Sequence, residues 1–110
     1  MPARDREPAT PPEPLAVRAA LAREFAGIVS ARGLTQREVA ELLGTTQPKV
    51  SALLSGKVEG FSLDRLVRYL NLLGEDIHIV VLPKPAGREQ AQTSVINRVL
   101  GAAEGGFAHA

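Results

Sequence analysis

Between Leu34 and Lys57 the chain reads LTQREVAELLGTTQPKVSALLSGK, and the order of its small and branched residues leaves little freedom in how it folds. Thr35 offers a hydroxyl to cap a helix, and Glu38, three residues later, completes a capping box. Val39, Leu42 and Leu43 then face inward on a short helix that Gly44 stops. A second short helix is expected from about Gln47 to Ser55, stopped by Gly56. Counted from Gln36, which opens the first helix, a small residue, a glycine and a β-branched apolar residue follow at positions four, eight and fourteen: Ala40, Gly44 and Val50. Ala40 lets the two helices cross closely. Gly44 takes the turn, where a left-handed backbone is cheap for glycine. Val50 packs the second helix back onto the first, with Leu53 and Leu54 behind it. Two short helices joined by so tight a turn are a helix-turn-helix unit.

Around this unit the periodicity defines further elements. Five of the first fourteen residues are proline, so residues 1–14 read as a flexible, extended arm. From Leu15, the steps between Val17, Leu21, Phe25 and Ile28 place these residues on one face of a helix, which Gly33 ends. After the KVEGF linker, Ser62 caps another helix with an apolar stripe of Leu63, Leu66, Val67, Leu70 and Leu73, closed by Gly74. The pattern then changes to alternation. In DIHIVVLP, Ile77, Ile79 and Val81 alternate with His78, Val80 and Leu82, which predicts a strand over 76–82. A lone strand leaves its backbone groups unpaired. The same strand from a second copy, antiparallel about a two-fold axis, is the simplest remedy, so Ile77, His78, Ile79, Val80 and Val81 are the expected dimerisation residues. Residues 15–82 are thus one domain and 83–110 a tail, in which Val95, Ile96, Val99 and Leu100 outline a short helix over 93–100. That patch either docks on the core or binds another protein.

Composition narrows the function classes. The chain has 110 residues, enough for one domain, with 45% hydrophobic residues and no cysteine. Disulfides, thiolate metal sites and cysteine nucleophiles are therefore absent. Four residues are aromatic and none is Trp, so an aliphatic core is expected. No apolar run approaches the roughly 18 residues of a membrane span, and the N-terminus lacks the apolar centre of a signal peptide. A soluble, cytoplasmic protein is expected. There is no His/Cys metal spacing, no nucleophile beside a base and no glycine loop for phosphates. Neither catalysis nor a cofactor or metal is expected.

Net charge is +1, but its distribution is uneven. From Thr45 to Val58 there are two lysines, Lys49 and Lys57, and no carboxylate, as a phosphate-facing surface requires. With Val50, Leu53 and Leu54 turned inward, helical geometry turns Pro48, Ser51, Ala52 and Ser55 outward, with Lys49 on the flank and Gln47 at the tip. In this motif the N-terminal part of the second helix enters the major groove of double-stranded DNA. Gln47 matches an adenine edge, Lys49 a guanine or a phosphate, and Ala52 a thymine methyl. Thr45 and Thr46, with their backbone N–H groups, suit a phosphate, as does Gln36 at the preceding helix start. Lys57, just past the helix, suits the DNA backbone. Taken singly, Lys49 and Lys57 fit a solvated face equally well. Arg65 and Arg68 lie on the polar side of their helix and read as solubility charges. His78 reads as a packed or rim histidine.

These residues carry a resemblance. LTQREVAELLGTTQPKVSALLSGK is similar to the DNA-binding core of the phage-repressor-like, or Xre, helix-turn-helix family. The extension FSLDRLVRYLNLLGEDIHIVV resembles a subgroup of HigA-like antitoxins of type II toxin–antitoxin modules. The resemblance spans residues 15–82. It implies a mainly α, lambda-repressor-like domain of four to five helices, with one C-terminal β-strand pairing across a homodimer. It further implies a repressor that binds a palindromic operator, regulates its own operon and neutralises a RelE/HigB-like ribonuclease toxin. Relatives often carry an acidic–apolar segment before the first helix, where this chain has its proline-rich arm.

Overall fold

The computed structural model describes residues 13–97. Within them are four helices: α1 (Glu13–Arg32), α2 (Gln36–Leu43), α3 (Gln47–Leu54) and α4 (Leu63–Leu72). None is long and apolar enough to cross a membrane. The first helix starts two residues earlier than Leu15. Pro14 is tolerated there because a first-turn N–H has no intrahelical acceptor to lose. Residues 1–12 of the expected arm lie outside the described residues.

The local signals for α2 to α4 take effect as geometry. Thr35 Oγ1 accepts from the Glu38 N–H at 3.0 Å, while Glu38 Oε1 accepts from the Thr35 N–H at 2.8 Å. Ser62 caps α4 in the same manner, accepting from the Arg65 N–H at 3.1 Å. Gly44 has φ 70°, a backbone that an L side chain rarely adopts. This left-handed residue lets the Thr45 N–H reach back to the Ala40 carbonyl at 3.0 Å, satisfying a carbonyl the helix end would orphan.

The core gathers Leu21, Ala22, Phe25 and Val29 of α1, Val39, Ala40 and Leu43 of α2, Val50 and Leu53 of α3, and Leu66, Tyr69 and Leu70 of α4. Val39 is wholly buried and Val50 and Leu53 are 1% exposed, so the faces that join α2 to α3 are dry. The core is not purely aliphatic, contrary to the composition-based expectation. Phe61 lies edge-on to Tyr69 with ring centroids 6.2 Å apart, and Phe25 tilts against the same ring at 6.4 Å. Few aromatic residues suffice when three of them meet, since each such pair adds about 0.5–1.5 kcal/mol beyond area burial. Phe61 and its neighbour Val58 are buried although they belong to the linker between α3 and α4.

Two arginines of α1 tie the helices together at opposite ends. Arg18 Nη1 donates to the Phe61 carbonyl at 3.0 Å and, more weakly, to that of Val58 at 3.4 Å. Arg32 Nη1 donates to the Leu73 carbonyl at the end of α4, and Nη2 pairs with Glu75 at 2.8 Å. A cation at a helix C-terminus meets carbonyl groups that lack intrahelical donors.

The strand expected over 76–82 is not formed by the single chain. No regular secondary structure follows α4 among the described residues. The reason is physical: a strand is defined by its ladder, and one chain brings no partner to this segment. Ile77 is half-buried against the core, but Ile79, Val80, Val81 and Leu82 are 83%, 70%, 90% and 76% exposed. A turn closed by the Arg88 N–H and the Pro85 carbonyl then reverses the chain. Val95 packs on the core, and Asn97 Nδ2 donates to Glu24 Oε1 of α1. The short helix expected over 93–100 is absent at 93–97, where β-branched Thr93, Val95 and Ile96 disfavour it. Residues 98–100 lie outside the described residues.

Candidate nucleic-acid interface

α3 buries Val50 and Leu53 and half-buries Leu54, so its opposite side is the surface in question. Gln47, Pro48, Lys49, Ser51 and Ser55 are exposed, and Ala52 is half-covered. All but Ser55, its C-terminal cap, lie on a helix of eight residues held at both ends. At the start, Thr46 Oγ1 accepts from the Lys49 N–H at 3.3 Å. At the end, Gly56 turns left-handed and the Lys57 N–H returns to the Ala52 carbonyl at 3.0 Å. Pro48 falls in the first turn, where its missing N–H costs nothing and its fixed φ suits the helix.

The structure refines what several side chains offer. The Thr45 N–H is committed to the Ala40 carbonyl, so it is not the phosphate donor that its position suggested. The Thr46 hydroxyl oxygen serves as the cap, which leaves its proton to donate outward. Ser55 Oγ donates to the Ala52 carbonyl at 2.9 Å and presents lone pairs outward. Gln36, Gln47, Lys49, Ser51 and Lys57 all remain exposed. Gln36 opens α2 directly after the turn that follows α1, and Lys57 sits directly past α3.

Electrostatics sharpen this surface. α2 carries Glu38 and α4 carries Asp64 in their first turns, whereas α3 has no acid there. The positive end of its dipole is left for an outside anion. Lys49 also lines a shallow cleft between the start of α3 and one flank of α4, and Arg65 and Arg68 line it too. Sequence reasoning left these two arginines as solvent charges. Their three-residue spacing sets both on one flank of α4, and only the packing of α4 against α1 and the end of α2 brings them to the cleft that Lys49 lines. Ile77, His78, Ile79, Val80 and Val81 lie outside this surface, beyond α4. Among the described residues no three His, Asp or Glu side chains converge as a metal site.

The family described as a helix-turn-helix domain matches residues 7–82. The chain belongs to that family. A solved structure provisionally named an XRE family transcriptional regulator is 40% identical to this helix-turn-helix protein, with a TM-score of 0.75. That match covers 78% of this chain and 97% of the other. The four helices around the α2–turn–α3 unit are therefore an Xre-like arrangement in sequence as well as in shape. No curated protein matches.

Proposed function

We propose that this helix-turn-helix protein is a DNA-binding transcriptional repressor that acts as a homodimer on a palindromic operator and carries no enzymatic activity. The observation that supports this most is the surface of α3. It is short, small-residued, cationic and free of acid, and it is rigidly set by buried Val50 and Leu53. Small side chains at Ser51 and Ala52 let such a helix lie deep in a major groove about 12 Å wide. Gln47, Lys49 and Ala52 read base edges. Gln36, Thr46 and Lys57 hold the backbone, Thr45 contributes its side chain alone, and Ser51 and Ser55 line the approach.

The dimer in this reading comes from Ile77, His78, Ile79, Val80 and Val81, where the exposed Ile79, Val80 and Val81 suit an antiparallel partner strand. The α3 helices of the two copies then address half-sites roughly 34 Å apart. The finer role, an antitoxin that also silences a RelE/HigB-like ribonuclease, rests on the resemblance of the α4 extension. A regulator without a toxin is the alternative, and so is a protein-interaction adaptor that has kept the scaffold without DNA binding.

Selection of duplexes from a random library by the full-length protein tests the central reading. A palindromic consensus is expected, with altered preference for Gln47→Ala and Lys49→Ala. Removing one base contact costs about 1–3 kcal/mol. Enrichment of no sequence by the wild-type protein would refute it. Co-expression with the product of the adjacent open reading frame separates antitoxin from regulator, by rescue of growth together with a co-purifying complex.

A further inference from the structure

The cleft shared by α3 and α4 contains more positive charge than the α3 surface itself, and no ion pair among the described residues neutralises it. Lys49, Arg65 and Arg68 line it together with Thr46 and Tyr69. All three cations are exposed, and none forms an ion pair with a carboxylate among the described residues. Asp64, one turn before Arg68, is not engaged with it. The start of α3 adds the uncompensated positive end of its dipole to the same space.

Tyr69 supplies a second and independent indication. It is 6% exposed, its ring is held by Phe25 and Phe61, and it forms part of the cleft wall. Its hydroxyl has no hydrogen-bond partner among the described residues. A buried phenol ordinarily finds one. Three cations without an ion pair, a hydroxyl proton from Thr46 and an unpartnered phenol make a donor set without a carboxylate among the residues that line the cleft.

We propose that this cleft is a phosphodiester site, in which Arg65 and Arg68 of α4, with Tyr69, clamp one backbone phosphate of duplex DNA in each half-site, beside the base-reading Lys49. The inference rests on the DNA-binding reading of α3 and deepens it. A helix about 10–12 Å across fills a major groove about 12 Å wide, so the sugar–phosphate backbones run along its two sides. The flank of α4 that shares this cleft with the start of α3 therefore lies toward one of them. The cleft has a volume of about 380 Å³ and is open to solvent, which suits a strand passing across it. Arg65 and Arg68 thereby fix how α3 sits in the groove and read no base, because phosphate contacts set register and carry no sequence information. Arginine also suits this position because its planar fork takes two phosphate oxygens at once.

The test measures binding of the full-length wild-type, Arg65→Gln, Arg68→Gln and doubly substituted proteins to a mixed-sequence duplex and to a duplex selected by the wild type, across a series of KCl concentrations. Both arginines are exposed, so the variants are expected to melt like the wild type, which circular dichroism checks. The expected result is a weakening of at least tenfold on both duplexes with the selected base preference unchanged. The slope of log K against log salt should fall by about 0.9 per protomer for each phosphate no longer neutralised. Because both arginines hold one phosphate, the double variant should lose little more slope than either single one. Wild-type affinity and slope in the double variant, while the wild type binds duplex normally, would overturn the proposal and leave the reading of α3 intact. Failure of the wild type to bind any duplex would instead remove the reading on which it rests. Titration with inorganic phosphate separates the two sources of phosphate. Saturation of the cleft without loss of duplex affinity, followed by amide shifts at Thr46 and Lys49, would assign it to a free anion and overturn the proposal.

Discussion

The carbonyl oxygen of Phe61 accepts a hydrogen bond of 3.0 Å from Arg18 Nη1, joining residues 43 positions apart in the chain. Phe61 belongs to the linker that must carry the chain from the end of α3 to the start of α4. Its ring on Tyr69 and its carbonyl on α1 anchor that linker to the body of the domain. Arg18→Ala is expected to destabilise the domain by about 2 kcal/mol, because hydrogen bonds to charged groups contribute roughly 1.5–3 kcal/mol. Arg18→Lys should recover part of this through one remaining donor. Urea unfolding reads the effect as a lower midpoint at unchanged m. An unaltered midpoint would mean that water replaces the guanidinium without loss.

The ring of Phe61 can be tested apart from its carbonyl. Phe61→Ala opens a cavity beside Tyr69 and is expected to cost about 3–5 kcal/mol. Phe61→Leu keeps most of the volume and removes the edge-on ring pair, for an added cost of about 0.5–1.5 kcal/mol. If both changes were as mild as a surface substitution, the linker would not be part of the core.

Which of these features the sequence disclosed follows from how local each one is. The capping box of Thr35 and Glu38, the Ser62 cap and the left-handed Gly44 act within five residues, so they were legible, and they bounded α2 to α4 closely. Val39, Leu43, Val50 and Leu53 turned inward as those bounds implied, but Leu42, also expected inward, is 50% exposed, because a two-turn helix buries only one narrow face. Val58 and Phe61 were not legible as core, because a five-residue linker has no periodicity to show which side chains turn in. Arg18 and Arg32 look like any polar-face arginine until α4 and its preceding linker lie beside α1. The same holds for Arg65 and Arg68 on the candidate interface. The alternation at 77–82 suggested a strand that does not form among the described residues, because alternation reports on side chains and not on whether a neighbouring segment offers a ladder.

Two glycine substitutions should move stability in opposite directions. Gly44 has φ 70°, and although an added Cβ would meet nothing within 4 Å, the backbone itself disfavours a side chain. A left-handed conformation costs a non-glycine residue roughly 1–2 kcal/mol. Part of that is offset by a stiffer unfolded chain, so Gly44→Ala is expected to destabilise by about 1 kcal/mol. Gly27 lies inside α1 with ordinary helical φ, and its added Cβ also meets nothing. Gly27→Ala should stabilise by about 0.8–1 kcal/mol from helix propensity alone. Thermal melts of the two variants side by side decide the matter, and a shared sign would contradict the backbone argument.

The last prediction concerns the proposed dimer. Ile79, Val80, Val81 and Leu82 expose four consecutive apolar side chains from backbone with no regular pairing. Such a segment is a template for another chain. The half-buried Ile77 before it and Val95 after it hold both ends of the excursion to the body. Ile79→Asp and Val81→Asp therefore place charge where the single chain has solvent, and the monomer fold should be unaffected. In a two-fold ladder centred on residue 79, an aspartate at 79 faces its own copy, where like charges are destabilising, and one at 81 faces the apolar Ile77 of the second copy. Sedimentation should show wild-type dimers and monomeric variants with the same melting behaviour at low concentration. Deleting residues 76–82 should likewise give monomers. Operator affinity should fall with the dimer, because a monomer addresses one half-site instead of two. Variants that remained dimeric would exclude this segment as the interface.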